Sequence, residues 1–370
     1  MVKLLSKKKY DKVKYFFEKN ANRLSILFFI GGFVIDNLTL TRIDAKSSNL
    51  ILVFYLLLSF VFIWINNIGD YKGFKSKILF KIYEFSTLII QFAFGALFSG
   101  YVIYYSRSSS FLSSWPFLIL LYLMFIGNEK IRKFYERFRV QISIFYFALF
   151  SFLIFYIPIL FGKMNNYIFI FTGLISLAVI LIVVRTFFLV LPNLKKYKFK
   201  IWRNILFIFI VLNLFYFNHL LPPVPISVKK IEVLHYADRN ENGKYQLARE
   251  KRDWTDVFDW WNNVIHWKPG ERIYVYASVF APTDFKTHIK YMWYWYDPKK
   301  RSWVYKGSYT QKIVGGRENG FRSGAYMQKA AKEGDWRLDL LSEQNAVIDS
   351  LRFKVVKVDH NVPLEIEVLD

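Results

Sequence analysis

Seven apolar runs fill the first three-fifths of this 370-residue chain, and the loops between them alternate strictly between rich and poor in Lys and Arg. The runs are Leu24 to Leu40, Leu50 to Ile65, Phe85 to Tyr105, Phe111 to Ile126, Ile142 to Phe161, Tyr167 to Leu191 and Ile205 to Leu221. Each holds 16 to 25 residues. A hydrocarbon core about 30 Å thick, crossed at about 1.5 Å per residue, asks for about 20. The pattern therefore predicts a polytopic domain of seven transmembrane helices. Loops on one side carry 22 Lys and Arg, and loops on the other carry 4 (Arg42, Lys46, Arg107 and Lys163). By the positive-inside rule the N-terminus is cytoplasmic, and an odd number of spans exports the C-terminus. If the fourth run did not cross, basic loops would fall on both faces, so the count of seven is kept.

The net charge of +23 belongs mostly to this topology signal. Residues 1–222 hold 27 Lys and Arg against 8 Asp and Glu, whereas residues 223–370 hold 24 against 20. A nucleic-acid binder would carry its excess on the soluble part, so nucleic acid is not an expected partner. The lipid bilayer is. Residues 1–23 mix Lys with Leu, Tyr and Phe, which suits either an interfacial helix on anionic inner-leaflet lipid or a solvated topology tag. The first run is long for a signal-peptide core and lacks an A-x-A-like cleavage site, so it reads as a signal anchor of the cytoplasmic membrane. Cysteine is absent, and the exported part must hold together by its own core.

The apolar domain, 24–221, ends at Leu221-Pro222-Pro223-Val224-Pro225, and 222–227 forms a proline-rich linker. From 228 to 370 the apolar period shortens to two. In RIYVYASVF, Ile273, Val275, Ala277 and Val279 share a face; in HIKYMWYWY, Ile289, Tyr291, Trp293 and Trp295 do. Asp297-Pro298-Lys299-Lys300 reads as the turn of a hairpin into SWVYKGSYTQKIV. A second hairpin turns at Glu343-Gln344-Asn345, with Trp336, Leu338 and Leu340 facing inward on one arm and Leu351, Phe353 and Val355 on the other. Seven to eight short strands predict an all-β, antiparallel, immunoglobulin-like sandwich. Helix is expected only in RDWTDVFDWWNNVI, from the spacing of Trp254, Val257, Phe258 and Trp261.

The run RIYVYASVFAPTDFKTHIKYMWYWYDP, then GGRENGF, then GDWRLDLLSEQNAVIDSLRFKVV, resembles the bacterial family called domain of unknown function 2914, found at the C-terminus of multi-span membrane proteins. The resemblance covers about residues 228 to 357. It implies an envelope location and a β-rich exported domain, and it brings no activity, substrate or catalytic residue.

Few residues suggest chemistry. Eight of eleven Trp lie between Trp254 and Trp336. Trp293, Trp295 and Trp336 take inward positions and read as core, whereas the adjacent Trp260 and Trp261 cannot both face inward and are the candidate platform for a sugar ring. Gly315 to Gly324 packs four glycines with Arg317 and Arg322, but Phe321 and Arg322 stand where a phosphate loop needs Lys and Ser or Thr. It is either a flexible loop offering two arginines to an anion or a solvated turn. Asp238 to Gly243 opens like a calcium loop, yet Arg249 occupies the twelfth position, so a polar turn is expected. The five His are scattered without ligand spacing, and no metal or cofactor is implied. Ionisable residues within the apolar runs are costly. Glu84 and Arg185 both lie toward the cytoplasmic side, where they either pair or snorkel, and Asp36 lies near the outer end of the first run. No catalytic constellation stands out. The expected function is an anchored, exported β-sandwich that binds an envelope protein or glycan; the alternative is a small-solute transporter or membrane enzyme with an accessory exported domain.

Overall fold

The computed structural model describes residues 33–40, 42–108, 111–130, 137–239, 244–251, 263–317, 319–327 and 332–369. Its first part is helical. Seven helices follow a short helical stretch at 33–39: α1 (Lys46–Lys72), α2 (Lys77–Glu84), α3 (Ser86–Arg107), α4 (Phe111–Lys130), α5 (Phe138–Phe161), α6 (Asn166–Val190) and, after a 3-10 turn at Pro192–Tyr197, α7 (Lys198–Phe217). Five are long and apolar enough to cross a membrane: α1, α3, α5, α6 and α7 with its 3-10 lead. The fourth run forms a shorter apolar helix, Ser114–Asn128, with Pro116 inside α4 and non-helical angles at Ser114. Proline removes a backbone donor and clashes with the preceding turn, which accounts for the break. Most of the first run lies outside the described residues.

Helix α5 is the hub, packed against α1, α3, α6 and α7. The surrounding helices, α4 included, turn apolar side chains outward, among them Leu57, Leu123, Ile182 and Phe207. An exterior this apolar suits hydrocarbon better than water. Inside, polar groups are spent between helices. Asn67 Nδ2 donates to Gln141 Oε1 at 2.7 Å, Ser86 Oγ donates to Asn66 Oδ1 at 2.8 Å, and the Tyr101 and Tyr105 hydroxyls donate to the Ala148 and Ser151 carbonyls, each at 2.8 Å.

The C-terminal part is built from sheets. Its strands are β1 (Ser227–Leu234), β2 (Tyr236–Arg239), β3 (Tyr245–Glu250), β4 (Val264–Trp267), β5 (Tyr274–Phe280), β6 (Lys286–Asp297), β7 (Ser302–Val314), β8 (Phe321–Tyr326), β9 (Gly334–Leu341), β10 (Val347–Lys357) and β11 (Leu364–Leu369). They form sheets ordered β1-β5-β8, β4-β10-β9-β6-β7 and β11-β3-β2. The first two enclose the core, where Val275, Ala277 and Val279 meet Tyr291, Trp293, Trp336, Leu338 and Phe353. Both hairpins form as expected. Asp297 Oδ1 accepts the Lys299 and Lys300 amides at 2.9 and 3.3 Å, and Asn345 takes the left-handed conformation its short polar side chain tolerates.

Three features depart from expectation. Eleven strands occur among the described residues, not seven or eight, because the short segments YADR, YQLARE and VIHW pair although none alternates clearly. One pairing, β10 with β4, is parallel. The third sheet covers the far side of β5, burying Tyr276 against Tyr245 and Leu247, so both faces of that strand are apolar. Of the stretch expected to be helical, Arg252 to Asn262 lies outside the described residues, and Val264 and Ile265 open strand β4.

Candidate functional site

The proline-rich segment is buried and does not act as a loose spacer. Leu221 and Val224 pack into the helical core, and Ile226, one residue before β1, packs into the β core. Around it the two parts bind each other directly. The Thr283 amide donates to Asp44 Oδ2 at 3.2 Å, the Lys286 amide donates to the Gly162 carbonyl at 3.3 Å, and Gln344 Nε2 donates to the Met164 carbonyl. Each part lends a residue to the other's core: Phe280 joins the helical cluster and Met164 the β cluster. Arg42 grips Asp44 through two hydrogen bonds, 3.0 and 2.9 Å, and its guanidinium lies 5.5 Å from the Phe280 ring centroid. Gly162 ends α5 in the left-handed conformation, and a Cβ there would lie 3.3 Å from the Asp284 carbonyl.

Beside these contacts a cleft of about 530 Å³ opens between the ends of α5, α6 and α7 and the β9–β10 turn. Pro158, Phe169 and Tyr216 wall its helical side, and Glu343, Gln344 and Asn345 its β side. Phe169 and Tyr216 stack at 3.6 Å, and the Tyr216 hydroxyl donates to Asn166 Oδ1 at 3.0 Å. The cleft mixes apolar groups (Pro158, Phe169) with polar ones from both parts (Asn165, Asn166, Glu343, Gln344, Asn345), so it can hold a molecule with apolar and polar portions.

A second cluster was hidden in the sequence. Glu250 accepts His235 Nε2 at 3.0 Å, His266 Nδ1 at 2.9 Å and the His266 amide at 2.6 Å. Its side chain is 13 % exposed. Burial by itself pushes this carboxyl up, but the hydrogen bonds from His235 and His266 outweigh it and hold the group below the usual carboxylate range. Arg249, next along β3, bonds Glu232 at 2.9 Å and also Glu367. Glu250 ends β3 and His266 lies in β4, so the cluster clamps the third sheet to the edge of the five-stranded one. Among the described residues no group of three or more His, Cys, Asp or Glu is arranged to hold a metal ion.

The residues singled out from sequence are spread over the molecule. Arg317 is exposed, its guanidinium 5.6 Å from the Phe321 ring centroid. Arg322 lies in β8 opposite Ser278. Successive strand residues face opposite ways, so Arg322 leaves β8 on the side away from Phe321 and Arg317. The glycines serve packing: a Cβ on Gly315 would stand 1.9 Å from the Pro282 carbonyl oxygen, and one on Gly320 2.5 Å from Ser278 Oγ. Trp260 and Trp261 lie outside the described residues. Trp293 and Trp336 are core, whereas Trp295 sits at its rim, donating from Nε1 to the Glu333 carbonyl at 3.1 Å. Glu84 is the exposed last residue of α2 and Arg185 is exposed on α6; among the described residues no ion pair joins them. Asp36 accepts Ser99 Oγ at 2.6 Å.

A family model described as "Protein of unknown function (DUF2914)" matches residues 286–355, from the first residue of β6 to Val355 in β10. The resemblance read from the sequence is thus borne out over this shorter stretch of the C-terminal domain. No curated protein matches the chain. Among solved structures, Pseudomonas fluorescens alkylpurine DNA glycosylase AlkC bound to DNA containing an abasic site analog aligns at 12% identity over 82% of this chain and 98% of its own. The TM-score is 0.19, and a likeness at that level carries no argument about fold or function.

Proposed function

We propose that this chain is an envelope binding protein of the bacterial cytoplasmic membrane, in which seven spans hold an exported, immunoglobulin-like domain upright so that it captures a glycan or protein partner. The observation that carries the reading is the junction. A domain exported on a tether would need only a linker, whereas here Asp44, Gly162 and Met164 each bind the β domain and Phe280 is buried among the helices. Such contacts fix the height and orientation of the domain relative to the bilayer, which helps a receptor of fixed targets and does nothing for a loose one. The loop asymmetry of 22 against 4 Lys and Arg supports export. The polar pairs Asn67–Gln141 and Ser86–Asn66 bond each other across helices, so they serve packing and lend little to the transporter alternative.

The absence of native cysteine makes a direct test available. Asp44→Cys with Thr283→Cys should form a disulfide in intact cells, and a reporter active only outside the cytoplasm should work after Asp370 and fail after Lys200. A reporter active after Lys200 and silent after Asp370, with no cross-link, would overturn the reading.

A further inference from the structure

Across the outward face of the five-stranded sheet, strand register sets four side chains in one row. Tyr305 of β7 stands opposite Tyr294 of β6, Tyr294 opposite Arg337 of β9, and Arg337 opposite Arg352 of β10. They face outward because Trp293, Trp336, Leu351 and Phe353, the residues beside them in sequence, enter the core. Tyr296 and Trp303 continue the surface, opposite each other with ring centroids 5.4 Å apart. The Arg337 guanidinium lies 4.6 Å from the Tyr294 centroid and 5.2 Å from that of Trp303, and Arg352 lies 6.0 Å from Trp303.

Like charges directly opposite in a sheet destabilise it, and this fold does not need them there. Among the described residues one carboxylate, Asp339, forms an ion pair with either of them, while Asp335 on the same face stands opposite Lys354. Asp339 Oδ2 lies 3.0 Å from Arg337, and its other oxygen accepts Ser350 Oγ at 2.7 Å. Arg337 Nε is enclosed without an acceptor, and no acidic side chain pairs with the exposed Arg352 among the described residues. Two planar cations short of a counter-ion, bordered by Tyr294, Trp303 and a 51 % exposed Tyr305, form a surface that matches flat rings and acid groups together.

Distance along the strand chooses among anionic partners. Lys286, which bonds Gly162 at the junction, and Tyr294 lie at opposite ends of an eight-residue step along β6. At about 3.3 Å per residue that step spans roughly 26 Å. A headgroup layer adds only about 5 to 8 Å beyond the hydrocarbon on each side. The row lies that far along β6 from the junction, a separation greater than the depth of the headgroup layer, which favours a polymer above the membrane over lipid phosphates.

We propose that this row is a binding surface for an anionic saccharide polymer, whose rings stack on Trp303 and Tyr305 and whose acid groups take the guanidiniums of Arg352 and Arg337. The proposal rests on the reading of the domain as an envelope binder and names the class of ligand. Its test uses the full chain in detergent micelles, where the outcome is independent of which way the domain faces in cells. Retention on immobilised polygalacturonate is compared with retention on neutral dextran and on polyphosphate, for the parent, Arg352→Gln and Trp303→Ala, with melting temperature as the folding control. Expected is retention on polygalacturonate but not on dextran, weakened at least tenfold by either substitution in a folded protein, with Arg352→Lys intermediate because it keeps the charge and loses the planar fork. No retention on polygalacturonate, or retention that Arg352→Gln leaves unchanged, would overturn the proposal. So would equal retention on polyphosphate that Trp303→Ala does not affect, since that would mark a plain anion patch.

Discussion

The Thr283 amide donates to Asp44 Oδ2 across 239 positions of sequence, at 3.2 Å, and so ties the loop after β5 to the segment before α1. The Asp44 side chain is 6 % exposed and also holds Arg42 in a bidentate pair, so one carboxylate organises the segment and receives the β domain. Replacing it by Ala removes the acceptor of three N–H donors, two from Arg42 and one from Thr283, a loss of about 1.5 to 3 kcal/mol for each hydrogen bond to a charged group. Asp44→Ala should lower the melting temperature and speed hydrogen exchange at the amides of Thr283 and Lys286, while Asp44→Asn, which keeps one acceptor oxygen, should fall between. Unchanged exchange in Asp44→Ala would mean that the junction is held elsewhere.

The glycine-rich loop yields a contrast between backbone and side chain. Gly315 passes under the same loop that meets Asp44, and an added Cβ would lie 1.9 Å from the Pro282 carbonyl and 2.6 Å from that of Ala281. Backbone cannot give way as a flexible side chain can, so Gly315→Ala should cost on the order of 3 kcal/mol or more and loosen the junction as well. Arg317→Ala, at an exposed position, should stay within about 0.5 kcal/mol of the parent. Thermal melts of the two variants decide the matter, and equal melts would contradict the packing described for Gly315.

Two carboxyls of the β domain should pull acid stability in opposite directions. Glu250 is held below the usual carboxylate range because the hydrogen bonds from His235 and His266 outweigh burial, so the unfolded chain takes up its proton first as pH falls. Its contribution is full above the unfolded value of about 4.3 and is lost as pH drops through the folded value. Asp349 is pushed up by burial, against a hydrogen bond from the Ser350 amide, so it is the folded state that keeps its proton longer. Asp349→Asn should therefore raise stability at pH 7 and lose that advantage below about pH 3.9. Glu250→Gln should lower stability at pH 7 and flatten the acid limb. Urea midpoints across pH 3 to 7 read both, and parallel curves for parent and variants would contradict both.

What could be read in advance follows from how local the determining signal is. The Asp297-Pro298 turn and the alternation of Trp336, Leu338 and Leu340 lie within a few residues of what they specify, and both hairpins form. The Glu250 cluster depends on β4 joining β10 in parallel, a pairing that no turn announces. Its residues, His235, Glu250 and His266, fall on three segments with no common spacing. The Arg337–Arg352 pair is an intermediate case. A hairpin turning at Gln344 brings them near each other, but the irregularity between Val347 and Asp349 shifts the register by one residue. Without that shift Arg352 would stand opposite Trp336, on the wrong face for the row. A bulge of this kind leaves no mark in composition.

Within the helical part, Asn67 of α1 and Gln141 of α5 meet at 2.7 Å, both buried, and Asn67 Nδ2 also donates to the Ile63 carbonyl at 2.8 Å. An amide pair in an apolar bundle suggests a strong bond, yet in a membrane the separated groups find other partners, and measured couplings average about 0.6 kcal/mol with a maximum of about 1.7. Asn67 keeps its bond to Ile63 if Gln141 is removed, which argues for the lower end. A double-mutant cycle of Asn67→Ala and Gln141→Ala in detergent, read by thermal or denaturant unfolding, should give a coupling near 0.6 kcal/mol. The single changes should each cost more than that, because each also removes packing volume beside the hub helix α5. Strict additivity would mean that the two amides meet in the bundle without holding it together, and the contact between α1 and α5 would then rest on neighbours such as Phe60 and Phe145, whose ring centroids lie 6.1 Å apart.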